Sequence, residues 1–165
     1  MLALAPFFAK ECPSIMGVLN ATPDSFSDGG QFNRVSAALH RIDEMIEQGA
    51  SIIDIGGEST RPYAPAVEES EEIRRVIPIL QNAVPRFSDQ VLFSIDTTKY
   101  GVAEQALDAG ALIINDVSGL QKSPAMAGLA ASFNAAYILM HAQGSPQDMQ
   151  DNPSYTHAVI DIVDF

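Results

Sequence analysis

The stretch VLFSIDTTKYGVAEQALDAGALIINDVSG, residues 91–119, decides the fold. An apolar run from Val91 to Ile95 stops on Asp96, and Thr98 offers a cap for a short helix that Gly110 closes. A second apolar run, Leu112 to Ile114, then stops on Asn115 with Asp116 behind it. Strand, helix and next strand in so few residues make a βαβ unit.

The same pattern extends outward in both directions. Before it, strands are predicted at Ser14 to Asn20 and at Ser51 to Ile55, the latter running into Gly56-Gly57. Between them Val35, Ala38, Leu39, Ile42 and Ile46 recur at helical steps, with Asn33 placed to cap that helix and Gly49 to close it. Glu68, Glu69, Glu71 and Glu72 precede Arg74 and Arg75, a polarity that suits a helix dipole, and Pro78 is expected to kink or shorten that helix. After the opening stretch, Ser123-Pro124 reads as a helix start, Ala136 to Met140 as a strand ending at His141, and a last helix begins at about Tyr155.

Repeated βα units call for an α/β fold with a parallel sheet covered on both faces. A doubly wound sheet would announce itself with a glycine-rich turn after the first strand, yet that strand ends in Asn20-Ala21-Thr22-Pro23. The expected architecture is therefore a TIM-type (β/α)8 barrel, represented by about its first five units in a single domain over residues 1–165. A closed barrel typically needs ~250 residues, so the domain is expected to be incomplete at its carboxyl end, with open strand edges and an uncovered inner face. Barrel active sites lie at the carboxyl ends of the strands, which directs attention to the polar stops.

Composition narrows the function. Nine basic against 21 acidic residues give a net charge of −12, which argues against nucleic acid held by general electrostatics. Cys12 is the single cysteine, so no intramolecular disulfide forms, and a reducing cytoplasm is the natural setting. The apolar start lacks a basic leader and meets Lys10 and Glu11 early, and no run approaches a membrane span.

Several constellations carry chemistry. The loop NATPDSFSDGG, residues 20–30, joins Asp24 and Asp28 to hydroxyls, amides and a Gly29-Gly30 hinge, reading either as a closing loop with oxygen ligands for a hard cation or as a solvated polar loop. GGESTRP, residues 56–62, supplies the Thr60 hydroxyl and the Arg61 fork for an anion, or else a structural Glu58 to Arg61 ion pair. Asp96 and Asn115 read either as caps of their turns or, being on neighbouring strands, as readers of a heterocycle's donor and acceptor edge. His141 reads as a ligand, a base or, preferred in the absence of a second ligand at metal spacing, a packed ring.

IMGVLNATPDSFSDGGQF, GASIIDIGGESTRP, FSIDTTKYGVAEQALDAGALIINDVSG and ILMHAQGSPQDMQDNPSY follow in order from Ile15 to Tyr155. Together they resemble dihydropteroate synthase, a family of pterin-binding (β/α)8 barrels. The resemblance implies a transferase of folate biosynthesis that condenses hydroxymethyl-dihydropterin diphosphate with p-aminobenzoate, using Mg²⁺. It implies Asn20 as the magnesium position, Thr60 and Arg61 as diphosphate contacts, and Asp96 and Asn115 as pterin contacts. Phe26 and Pro62 then shape the aminobenzoate pocket, and Asp28 orders the closed site; Asp28 and Arg61 are the expected catalytic pair. The implied partners are small molecules, without nucleic acid or membrane, and a homodimer in the full-length enzyme. The family's later aspartate, lysine and Arg-x-His group have no counterpart in these 165 residues, so little synthase turnover is expected from them alone. A pterin-dependent methyltransferase and a non-catalytic pterin-binding module are the rival readings.

Overall fold

The computed structural model describes residues 13–22, 31–59, 66–144 and 152–164. Strands β1 (Met16–Asn20), β2 (Ile52–Gly56), β3 (Leu92–Asp96), β4 (Ile113–Asp116) and β5 (Ala136–Leu139) alternate with helices α1 (Gln31–Glu47), α2 (Glu69–Phe87), α3 (Tyr100–Asp108), α4 (Met126–Phe133) and α5 (Ala158–Val163). All strand pairs are parallel and the order is β1-β2-β3-β4-β5. Consecutive order without reversal is the arrangement of a barrel wall rather than of a doubly wound sheet.

Side chains alternate across a strand, so each strand feeds two different layers. Leu19, Ile53, Ile55, Phe93, Ile95 and Ile114 pack with the helices in the main core, among them Ile42 and Met45 of α1 and Val76, Leu80 and Phe87 of α2. Gly17 marks the closest approach there, since a Cβ would stand 2.7 Å from the Met45 sulfur. The opposite, inner face forms rows by register. Met16, Ile52 and Leu92 make an apolar row; Val18, Asp54, Ser94, Ile113 and Ala136 make the next; Asn20, Gly56, Asp96, Asn115 and Ile138 make the last.

Coverage of both faces holds for the central strands and fails at the flanks. β2 is buried throughout, whereas Val18 on β1 is 57% exposed and Leu139 on β5 is 49% exposed. The open flanks anticipated from five units are thus present among the described residues.

Four local expectations are corrected. α2 is not shortened at Pro78 but passes through both Pro78 and Pro85. Losing a helix hydrogen bond at an internal proline costs ~3 kcal/mol, which burial of Val76, Ile77, Ile79 and Leu80 around Pro78 offsets at about 1.5–3 kcal/mol per large side chain. Thr98 does not cap α3: that position falls to Lys99, whose N–H donates instead to Thr97 Oγ1 at 3.2 Å. Asn33 lies inside the first turn of α1, because the helix already starts at Gln31. Ser123 closes a turn through its carbonyl, which accepts from the Met126 N–H at 3.0 Å, so α4 starts two residues later than a Pro124 start implies. Gly49 and Gly110 do close their helices, with φ of 96° and 101° that suit glycine.

Candidate active site at the strand ends

Three of the residues singled out from sequence fall on one row. Asn20, Asp96 and Asn115 end or nearly end β1, β3 and β4, and Gly56 completes the register between Asn20 and Asp96. Gly56 leaves room there, because a Cβ at that position would stand 3.3 Å from Asp96 Oδ2. The Asp96 carboxyl therefore lies across the end of β2. Phe26, Asp28, Thr60, Arg61 and Pro62 lie outside the described residues.

One layer deeper stands Asp54, only 2% exposed. Asn115 Nδ2 donates to Asp54 Oδ2 at 2.9 Å, which ties β4 to β2 across β3. Burial raises the Asp54 carboxyl above its ordinary value, with the neighbouring Ser94 hydroxyl and the Asn115 amide acting the other way. Asp96 is pushed up to about 7, first by burial and then by the negative charges of Asp54, Glu72, Asp116 and Glu58. A carboxyl of that kind changes between donor and acceptor near neutral pH, a property suited to a heterocycle with both kinds of edge atom.

Asp116 faces the other way and builds the loop behind Asn115. Its carboxylate accepts from Ser118 N–H at 2.8 Å, Ser118 Oγ at 2.7 Å, Leu120 N–H at 2.7 Å and Tyr137 Oη at 2.7 Å. Burial pushes Asp116 up, but these four donors outweigh it and hold the carboxyl below its usual range. The bonds also secure the turn in which Leu120 adopts a φ of 68°.

A second charged group lies beside the mouth. Lys99, just before α3, contacts Glu58 and lies 2.5 Å from Glu72 Oε2, and Glu72 is fully buried. Burial pulls the Lys99 ammonium down, and the two carboxylates more than reverse the effect, so it sits above its usual value. Glu58 Oε1 also accepts from Val67 N–H at 3.2 Å, and Arg75 donates to the Gly57 carbonyl at 2.8 Å. These contacts tie Gly57 to α2, and Glu58 to Val67 and to the residue before α3. Glu58 is thus engaged by Lys99, a partner that the sequence reading did not consider.

His141 is a packed ring, its centroid 5.7 Å from that of Tyr155 and its Nδ1 3.5 Å from the Tyr155 hydroxyl. Among the described residues no group of three or more His, Cys, Asp or Glu is placed to hold a metal, and no helix is long and apolar enough to cross a membrane. Asp54, Ser94, Glu72 and Lys99 were not singled out from sequence as site residues. Asp54 and Ser94 each stand two residues before a strand end, on the face of Gly56 and Asp96, and a polar residue there was the available signal.

Comparison with known proteins agrees with this geometry. The dihydropteroate synthase of Synechocystis is 50% identical over 141 residues, covering 86% of this chain and 48% of its own length. The solved dihydropteroate synthase of Yersinia pestis, in complex with a sulfonamide drug, superposes with a TM-score of 0.80 at 46% identity, over 93% of this chain and 55% of that one. The Clostridium difficile enzyme, solved in the presence of pteroic acid, gives a TM-score of 0.80 at 42% identity, over 93% and 55%. The chain spans about half the length of these relatives, and the wall it forms is that of their barrel. The family model for pterin binding enzymes matches residues 16–165, and the chain belongs to that family.

Proposed function

We propose that the chain forms the pterin-reading part of a dihydropteroate synthase, a cytoplasmic transferase that joins hydroxymethyl-dihydropterin diphosphate to p-aminobenzoate. In this reaction the arylamine nitrogen attacks the exocyclic carbon of the pterin, the carbon–oxygen bond to diphosphate breaks, and the amine proton leaves to solvent or base. The observation that carries the reading is the row Gly56, Asp96, Asn115, in which a raised carboxyl and a tethered amide sit at the end of an apolar sheet. Leaving such groups unpaired costs about 1–3 kcal/mol each, so they discriminate strongly among ring edges.

The remaining roles follow from the resemblance. Thr60 and Arg61 take the diphosphate, Phe26 and Pro62 line the arylamine pocket, and Asp28 orders the loop over it. Asn20 is the residue that would hold Mg²⁺. Its amide stands exposed at the end of β1, and a single oxygen ligand suits an ion that keeps most of its waters and shares the rest with phosphate. When bound, the ion supplies charge neutralisation for the departing diphosphate. The cytoplasmic setting rests on the single cysteine, Cys12, and homodimerisation of the full-length enzyme belongs to the same reading.

Calorimetric titration of pteroic acid into the 165-residue chain, with and without Mg²⁺, tests the proposal. Binding is expected to weaken at least about tenfold in Asp96→Ala and in Asn115→Ala, matching the loss of one buried polar contact. Equal binding by all three proteins, or none by the wild type, sinks it.

A further inference from the structure

Two enclosed oxygens on the inner face, Asp54 Oδ1 and Ser94 Oγ, make no well-formed hydrogen bond among the described residues, although the Ser94 hydroxyl stands near enough to Asp54 to favour its charged form. They belong to register-paired residues directly below Gly56 and Asp96. Neither is used by the reaction outlined above. What Asp54 does hold is the amide of Asn115, at 2.9 Å from Nδ2 to Oδ2.

A carboxamide has one donating and one accepting end, and an ionised carboxylate only accepts. With one Nδ2 proton committed to Asp54, the acceptor that Asn115 keeps for a ligand is Oδ1. Turning the amide over would set Oδ1 against the carboxylate oxygen, a repulsive pairing in a buried place. The Ser94 hydroxyl, free to rotate beside Asp54, can stabilise the charged form but cannot take over the tether to β4.

We propose that Asp54 is a positioning residue that locks the Asn115 amide with Oδ1 toward the mouth, so that the site selects a pteridine presenting a nitrogen donor there. This deepens the synthase reading and rests on it for the identity of the ligand. The lock itself belongs to the protein and exists without ligand.

The test has two readouts on the same chain. In the ¹⁵N-labelled wild type, one Asn115 side-chain proton is held by Asp54 and exchanges slowly; in Asp54→Asn, where either end can face Asn115, its exchange quickens at least about tenfold and its shift moves. Ser94→Ala leaves both unchanged. The second readout compares binding of pterin with that of lumazine, which replaces the amino donor by an oxygen acceptor. Wild type is expected to prefer pterin at least about tenfold, and Asp54→Asn to narrow this to within about threefold. Unaltered Asn115 signals in a folded Asp54→Asn chain overturn the lock, whatever the binding shows. An unaltered preference overturns the claim on selectivity. If Asp54→Asn fails to fold by circular dichroism, Asp54→Ser is read in the same way. A wild type that binds neither pteridine, while Asn115 still responds to Asp54, removes the synthase reading and keeps the lock.

Discussion

Two groups of buried and half-buried carboxyls stand at the head of the sheet, and the protein treats them in opposite ways. Glu58 and Glu72 close on Lys99, which they hold in its charged form. Asp54 and Asp96 have an amide, a hydroxyl and a glycine for neighbours and, among the described residues, no ion pair. Carboxylates that share a cation fasten the strand ends to the residue before α3. Charge left uncancelled raises a carboxyl toward neutral pH and keeps it available to a ligand.

The largest effect is expected from breaking the clamp. Lys99→Met leaves Glu72 buried without its cation, and removing one partner of a buried pair costs about 3–5 kcal/mol. Urea denaturation should show that loss; a midpoint close to wild type would mean that Glu72 finds another partner. Next comes Gly57→Ala. Its Cβ would meet Glu72 Cγ at 2.8 Å and Val76 Cγ1 at 2.9 Å, so a loss of about 1–3 kcal/mol is expected in the same assay.

At the mouth the sign reverses. Asp96 ionises near the ordinary 3.8 when unfolded and at about 7 when folded, so stability is fully present at low pH and is lost as pH climbs through that interval. Asp96→Asn should therefore stabilise the chain, by about 1–2 kcal/mol at pH 8 after allowing for solvent around the partly exposed group, and by almost nothing at pH 4. Thermal melts at the two pH values decide it, and a pH-independent difference would contradict the raised carboxyl. The smallest effect is expected from Tyr137→Phe. Asp116 loses one of four donors, at about 1 kcal/mol, which the shift in the urea midpoint would report.

The sequence carried the architecture because β-branched runs ending on polar residues mark both strand position and strand direction. Asn20, Asp96 and Asn115 could be placed on one rim from that alone, and the register bears this out. What periodicity did not expose was everything that depends on which residues meet across strands. Asp54 reads as one position within a predicted strand until pairing sets it beside Ser94 and under Asn115. Glu72 reads as one of four acidic residues favouring a helix dipole, yet it is the one turned inward to Lys99, 27 residues away. Pro78 reads as a kink or a shortening because its local cost is visible in sequence and the burial around it is not.

The central claim is that the strand ends of β2, β3 and β4 form a single recognition surface for a pterin. Chemical-shift mapping of the ¹⁵N-labelled chain during titration with pteroic acid tests it most directly. The account predicts the largest saturable changes at the backbone amides of Gly56, Asp96 and Asn115 together. Changes confined to the neighbouring groove that Tyr100, Lys122 and Ser123 line with Glu58 and Lys99, with those three amides still, would contradict it.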